Sequence, residues 1–170
     1  MIIKTDRLIL EPLGTKHLDD FSVYALDKDC GKFMLFFPKK DMDEVKEELK
    51  SSDKMWNSEN PTEWIFAIME DEKNVGFVGI YDENGKAELG WMLSKDCQGK
   101  GYGFEAASAA AEYALTLGYK EFVAHCDSEN YPSYHLMEKL GMKRISEKKG
   151  RKNYSSDEER VEFTYYMDKR

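Results

Sequence analysis

The sequence predicts an α/β domain with a mixed, mostly antiparallel sheet of about seven strands and about four helices. Strand-like and helix-like segments follow one another as strand, two helices, three strands, helix, strand, helix and two strands. Short turns join the three central strands, so these form an antiparallel meander. The helix Phe104–Leu117 connects the strands Lys86–Leu93 and Glu121–Cys126, and such a crossover makes its flanking strands parallel neighbours. The length of 170 residues indicates one domain, residues 1–170.

The first third of the chain predicts one strand and two helices. Apolar–polar alternation indicates a strand from Arg7 to Leu13, and helical spacing indicates the helices Lys16–Leu26 and Met42–Trp56. The apolar stretch Gly31–Pro38 lies between them. The aromatic residues of this region either pack in the core or wall a substrate site. They are Phe33, Phe36, Phe37 and Trp56.

The meander and the elements after it follow from turn signals. Asp82–Gly85 is a hairpin turn between the strands Val75–Tyr81 and Lys86–Leu93, and Gly118 ends the alanine-rich helix. The polar segment Lys148–Glu159 predicts a mobile loop. The other predicted elements are the strands Glu63–Met69, Met142–Glu147 and Arg160–Met167, and the helix Tyr131–Leu140.

Composition excludes several classes of protein. The net charge of −8 argues against a nucleic-acid surface, which would be basic, and it favours a cationic partner such as an amine. No apolar run approaches the roughly 20 residues of a membrane span. The segment Met1–Asp6 lacks the apolar core of a signal peptide, so we expect a cytoplasmic protein with no membrane partner.

The cysteines and histidines do not suggest a disulfide framework or a metal site. The chain has three cysteines without a C-x-x-C pair, which suits a reducing compartment. The three histidines are far apart in the sequence, so we expect no bound metal. These residues are Cys30, Cys97, Cys126, His17, His125 and His135.

A glycine-rich stretch opens the alanine-rich helix. Unpaired backbone N–H groups and the positive end of the helix dipole make such a turn a pocket for a phosphate or pyrophosphate. Glycine is needed because a side chain would block the approach and because positive φ is cheap only for glycine. The residues predicted to bind phosphate are Gln98, Gly99, Lys100, Gly101, Tyr102, Gly103 and Phe104.

Two known patterns fit this stretch. Gly101–Ala106 fits the dinucleotide fingerprint G-x-G-x-x-A. That fingerprint expects an apolar strand ending at the first glycine and an acidic residue at the end of the next strand. Instead the polar segment Ser94–Gln98 precedes the glycines, and Glu121 begins the next strand. A nucleotide-binding oxidoreductase is therefore the least favoured interpretation of this chain.

The other pattern is Q/R-x-x-G-x-G/A, and it resembles motif A of the GNAT family of acyl-CoA-dependent N-acyltransferases. The stretches Thr5–Leu10, Glu88–Trp91, Asn130–Ser133 and Glu138–Met142 are similar to motifs of one subgroup. That subgroup, of the RimJ/RimL type, contains the N-terminal acetyltransferases of ribosomal proteins. Glu11 stands where the subgroup usually has arginine, and Met142 replaces a phenylalanine.

The resemblance implies a fold and acetyl-CoA as co-substrate. In this family the two central parallel strands splay apart, and acetyl-CoA lies in the V between them. Backbone groups of Met92, Leu93 and Ser94 would pair with the pantetheine arm, and the glycine-rich stretch would hold the pyrophosphate. Asn130 would bond the pantetheine near the start of its helix.

The chemistry of acetyl transfer needs few groups. The amine must lose a proton before it can attack, and the tetrahedral oxyanion needs an N–H donor, for which a backbone N–H near Leu93 is the candidate. Glu88 is a candidate base, or else a structural hydrogen-bonding group. Many family members have a tyrosine that acts as the general acid at the position where this chain has Met137. Ser133, one turn earlier, could act as the acid or cap its helix, and Tyr134 could reach the same place or only pack.

Two functions remain open from the sequence. The first is an N-acetyltransferase that acetylates a protein N-terminus or a small amine by direct attack, with catalysis resting mainly on positioning. The second is a non-catalytic acyl-CoA-binding sensor or interaction protein. The sequence leaves a monomer and a homodimer equally open.

Overall fold

The computed structural model describes residues 1–170 and contains one eight-stranded sheet with helices on both faces. The strands are Ile3–Lys4 (β1), Ile9–Pro12 (β2), Glu63–Glu70 (β3), Lys73–Glu83 (β4), Lys86–Leu93 (β5), Glu121–Asp127 (β6), Lys143–Lys152 (β7) and Glu159–Asp168 (β8). The helices are Leu18–Ala25 (α1), Lys28–Gly31 (α2), Met42–Trp56 (α3), Tyr102–Thr116 (α4) and Tyr131–Lys139 (α5).

The predicted fold class is confirmed. The strand order is β1-β2-β3-β4-β5-β6-β8-β7, and β5 with β6 is the parallel pair among antiparallel neighbours. Two short elements raise the count to eight strands and five helices. The two-residue β1 is too short to show alternation, and α2 is one turn that Asp27 caps through its side chain.

The prediction of a mobile loop over Lys148–Glu159 is wrong at both of its ends. β7 runs on to Lys152 and pairs with β8, which begins at Glu159. The register shifts between Lys149 and Arg151, around Gly150 at φ +100°. This bulge turns Arg151 inward, so a strand made almost entirely of exposed polar residues still has one buried anchor.

The two faces of the sheet carry separate cores. Alternating side chains of the central strands pack on one face against α4 and α5, and on the other face against α1 and α3. The alanines of α4 allow that helix to lie close to the sheet. Those fully buried are Ala106, Ala107, Ala110 and Ala114. None of the helices combines the length and the apolar character that a membrane crossing needs.

The close approach of α4 predicts a strong asymmetry between its two sides. We expect Ala110→Leu to lower the free energy of unfolding by about 1–3 kcal/mol, because the added methylenes have no space at a fully buried position. Glu112→Leu, on the exposed side of the same helix, should change it by less than about 0.5 kcal/mol. Urea unfolding measures both free energies of unfolding, and equal losses would contradict the close packing of α4 on the sheet.

Candidate functional site

A V-shaped opening separates the two parallel strands. The β5–β6 pairing consists of Ala87 with Phe122 and Glu88 with Val123. Beyond these pairs β5 continues to Leu93 and β6 to Asp127 without a β5–β6 partner, while β6 stays paired with β8 along its whole length. One edge of β5 therefore presents unpaired backbone groups to the opening. The splayed strands that the family resemblance implied are present in this chain.

The direction of the backbone groups distinguishes the three residues predicted to pair with pantetheine. The N–H of Ser94 donates to the carbonyl oxygen of Val75 at 2.8 Å, so Ser94 and, by alternation, Met92 face β4. Leu93 and Trp91 face the opening instead. The carbonyl oxygen of Leu93 accepts a bond from Nε2 of Gln98 at 3.2 Å. Sequence reasoning missed Trp91, although counting the alternation back from the hairpin would have found it.

The glycine-rich stretch, Gln98–Phe104, forms the loop that starts α4. Gly99 and Gly101 have φ values of +76° and +82°, and Gly101 is the N-cap of the helix. No backbone N–H from Gly99 to Phe104 has an acceptor within the protein. The first that does belongs to Glu105, which donates to Gly101 at 3.1 Å. Free N–H groups at a helix N-terminus can bind an anion, and these lie in the loop that follows β5.

Arg7 braces this loop from behind. Its Nη1 donates to the carbonyl oxygen of Lys100 at 2.8 Å, and its Nε donates to Glu105 at 2.7 Å. The hydroxyl of Thr5 donates to the same carboxylate at 2.6 Å. The sequence showed Thr5 and Arg7 only as part of a family motif, and the contact across the fold explains what these residues hold.

Two lysines lie near the loop. Lys100 is within it, and the ammonium of Lys139, at the end of α5, lies 4.2 Å from the ring centroid of Phe104. α5 packs closely here, since a Cβ on Gly103 would lie 2.8 Å from Cδ1 of Leu136. The protein thus supplies cations as well as N–H groups for an anionic ligand.

The start of α5 carries Asn130 and Ser133. Asn130 occupies the N-cap position, and no side chain makes a capping bond there. Ser133 is half-buried, and no hydrogen bond joins its hydroxyl to the helix N-terminus, which does not support the capping alternative. Met137, at the position of the family's tyrosine, is 1% exposed and belongs to the core. Its thioether has no proton to donate, so it cannot replace that tyrosine.

Tyr134 lies within a group of aromatic rings. Its ring centroid is 5.7 Å from that of Phe163 and 6.5 Å from that of Tyr165, and the rings of Tyr134 and Tyr165 are nearly parallel. These contacts favour the packing interpretation of Tyr134 over a role in proton transfer.

Glu88 lies at the point where the strands separate. Alternation places it on the same face as Met92, the face of the sheet that carries α1 and α3. One side-chain atom from each of Glu88, Glu83 and His125 lies within 4.8 Å of the others. Burial raises the pKa of Glu88 above its ordinary value, Glu83 raises it further, and the nearby His125 lowers it.

Spacing along the sequence gave no sign of this group. Glu83 precedes the hairpin turn, Glu88 follows it, and His125 comes from β6. Nε2 of His125 lies 3.3 Å from Oε2 of Glu83, and Nδ1 lies 3.0 Å from Oγ1 of Thr164. Only the parallel pairing of β5 with β6 brings the three side chains together.

The aromatic residues proposed for a substrate wall divide into two kinds. Phe37 is buried between Phe21 and Phe77, and Trp56 donates from Nε1 to the carbonyl oxygen of Ile65, so both are structural. Phe36 is of the other kind, since it is 71% exposed and does not pack in the core.

Phe33 is held by the end of the β7–β8 hairpin. Its carbonyl oxygen accepts a bond from Nη2 of Arg151 at 2.8 Å. Nη1 of the same guanidinium pairs with Glu162 at 2.7 Å. The segment that contains Phe33 and Phe36 is therefore fixed to the hairpin on the face that carries Glu88.

Comparison with known proteins identifies relatives of this architecture. Residues 7–143 match the family model described as Acetyltransferase (GNAT) domain. The chain is 31% identical over 147 residues to the uncharacterized N-acetyltransferase YnaD of Bacillus subtilis, which covers 85% of this chain and 84% of YnaD.

Solved structures share the fold over nearly the whole chain. RimL, the ribosomal L7/L12 α-N-protein acetyltransferase, solved with coenzyme A, superposes with a TM-score of 0.85 at 18% identity and covers 99% of this chain and 98% of RimL. Spermidine N-acetyltransferase from Vibrio cholerae, solved with CoA and spermine, superposes with a TM-score of 0.81 at 20% identity and covers 97% of both chains.

Proposed function

The chain belongs to the acetyltransferase (GNAT) family, and we propose that it transfers an acetyl group from acetyl-CoA to a primary amine. The observation that carries this proposal is the row of free N–H groups from Gly99 to Phe104 beside the β5–β6 opening. Such N–H groups can bind a pyrophosphate, and the opening could receive an extended thioester arm.

The residues present suit acetyl-CoA. The backbone N–H groups of the loop would bind the pyrophosphate, and Lys100 and Lys139 would add positive charge near it. The unpaired backbone groups of Trp91 would pair with the amides of the pantetheine arm, as a further strand would, while the carbonyl oxygen of Leu93 is already bonded to Gln98. The Asn130 side chain, which has no partner in the helix cap, would bond the same arm.

The reaction needs no covalent enzyme intermediate. Glu88 takes a proton from the acceptor ammonium, and the free amine nitrogen then forms a bond to the thioester carbonyl carbon. The N–H of Leu93 faces the opening and would stabilise the oxyanion. The carbon–sulfur bond breaks, the nitrogen gives up its second proton and the thiolate takes one up, so the products are an amide and CoA. Ser133 is our candidate for the group that donates this proton.

The charge on the acceptor side favours a cationic acceptor. Glu83, Glu88 and Glu162 lie together on that face, and Arg151 and His125 oppose them. RimL acetylates a protein N-terminus and the Vibrio enzyme acetylates spermidine, so this fold accommodates both kinds of amine. We propose an amine of either kind as the acceptor, for a monomer or a homodimer acting in the cytoplasm.

Calorimetric titration tests the cofactor first. Acetyl-CoA should bind saturably and NADH should not. A panel of primary amines, followed by release of free thiol, then tests transfer. An absence of acetyl-CoA binding would disprove the proposal, whatever the resemblance of the loop.

The second candidate is a non-catalytic acyl-CoA-binding protein. Met137 is buried at the position of the family's usual general acid, and its side chain can donate no proton. This favours a protein that binds acyl-CoA without transferring the acyl group. Saturable acetyl-CoA binding without thiol release on any amine of the panel would support this function over transfer.

Single substitutions on α5 should separate proton donation from packing. We expect Ser133→Ala to lower kcat about tenfold, because solvent can still protonate the departing thiolate, and Tyr134→Phe to lower it less than twofold. Initial rates with saturating acetyl-CoA measure both. A loss of four orders of magnitude from either change would contradict catalysis by positioning.

A further inference from the structure

His125 is the imidazole at the vertex of the opening, and the mechanism above does not use it. It lies on β6, two residues after Val123, which pairs with Glu88. Its side chain is 21% exposed, so the ring reaches solvent, and one of its nitrogens lies within 4.8 Å of a carboxylate oxygen of the half-buried Glu88. A group in this position can carry a proton between the two.

The oxygens around the ring suit an imidazolium. Nε2 lies 3.3 Å from Oε2 of Glu83, and Nδ1 lies 3.0 Å from Oγ1 of Thr164 and 3.7 Å from Oε1 of Glu162. Both ring nitrogens of a protonated histidine are donors, and each has an oxygen within reach here. The nearby cation is Arg151, which is paired with Glu162.

We propose that His125 is a positioning residue for Glu88. Glu88 takes each proton from the acceptor ammonium and passes it on to the imidazole of His125. The O–H bond on Glu88 breaks and an N–H bond forms on the ring. The carboxylate is thereby ionised again for the next turnover, and the imidazolium returns its proton to solvent. The separation of up to 4.8 Å is too long for a direct hydrogen bond and is spanned through one water.

This inference rests on the proposed function, since it assigns the route of the proton in that reaction. It assigns roles to two residues from different elements, His125 and its partner Glu83. Charge alone predicts that their removal acts in opposite directions on Glu88, because one can be cationic and the other is anionic.

The test compares pH profiles of kcat/KM for two variants. In His125→Gln the loss of the cation should move the acidic limb of the profile up by about one pH unit and lower kcat about tenfold. In Glu83→Gln the loss of the anion should move the same limb down. A residue that only stabilised the fold would lower the rate equally at all pH values.

A matched control is available elsewhere in the fold. His17 makes the same kind of contact, with Nε2 at 2.8 Å from Oε1 of Glu11. His17→Gln should leave the acidic limb in place. EDTA in every sample removes stray divalent ions from the assay.

A second readout does not depend on turnover. In protein labelled with ¹³C-glutamate, the carboxyl signal of Glu88, assigned with Glu88→Gln, should titrate at higher pH in His125→Gln and at lower pH in Glu83→Gln. Unchanged midpoints, or shifts in the same direction, would overturn the inference. If no amine is acetylated, the proposed function fails and this titration still decides whether His125 and Glu88 are coupled.

Discussion

Gly101→Asp should raise the Kd for acetyl-CoA by more than about 100-fold. Aspartate tolerates the left-handed conformation better than most residues, so the loop can keep its φ of +82°. The new Cβ would lie 3.3 Å from Nη2 of Arg7, and the carboxylate would add a negative charge to the loop whose N–H groups we assign to the pyrophosphate. Two unit charges about 5 Å apart repel by roughly 3 kcal/mol at an effective dielectric of ~20, which corresponds to about two decades in Kd.

Gly85→Asp is the matched control for this change. Gly85 has the same φ of +82°, and a Cβ there would meet nothing within 4 Å. It lies in the hairpin turn before β5, whereas the loop follows the far end of that strand. Calorimetry should give this variant the affinity of the unaltered protein. Equal losses in the two variants would mean that the loop does not bind the anion.

Glu88→Gln should lower kcat by about 100-fold at neutral pH and change the Kd for acetyl-CoA less than twofold. The amide keeps the shape of the side chain but cannot take a proton, and general bases contribute roughly 10²–10⁴. Only the ionised carboxylate is active, and burial raises its pKa. Activity of the unaltered protein should therefore fall with decreasing pH above the ordinary range of glutamate, and this acidic limb should be absent from Glu88→Gln.

Glu63→Gln controls for burial of a carboxylate. Burial also raises the pKa of Glu63, which lies on β3 across Tyr81 from Glu88. We expect this variant to keep both the rate and the acidic limb. A Glu88→Gln protein with nearly full activity would assign deprotonation to solvent and reduce Glu88 to a structural role.

Local patterns were sufficient to predict most of the fold. Alternation and the hairpin turn predicted β3 to β5, and the crossover predicted the parallel pair at the centre. The loop at Gly99 and Gly101 was predictable because positive φ has a direct signature in residue type. These features depend on residues close together in the chain.

The missed features depend on contacts between distant segments. The brace from Arg7 to Lys100 and the group of Glu83 with His125 need the sheet to be assembled first. β7 has hardly any apolar alternation along the sequence. Its pairing with β8 and one buried arginine hold it in place, and local spacing shows neither. Ser94 was assigned to the cofactor because the resemblance gives a location along β5 but no direction for each N–H group.

The bond from Arg151 to the carbonyl oxygen of Phe33 has a consequence for divergence among related chains. It joins segments 118 positions apart, and neither segment belongs to the loop at Gly99–Phe104. Changes in these two segments can therefore accumulate together while the Gly99–Phe104 loop stays as it is. Because the acceptor is a backbone carbonyl, the bond survives a change of side chain at position 33 but not the loss of Arg151.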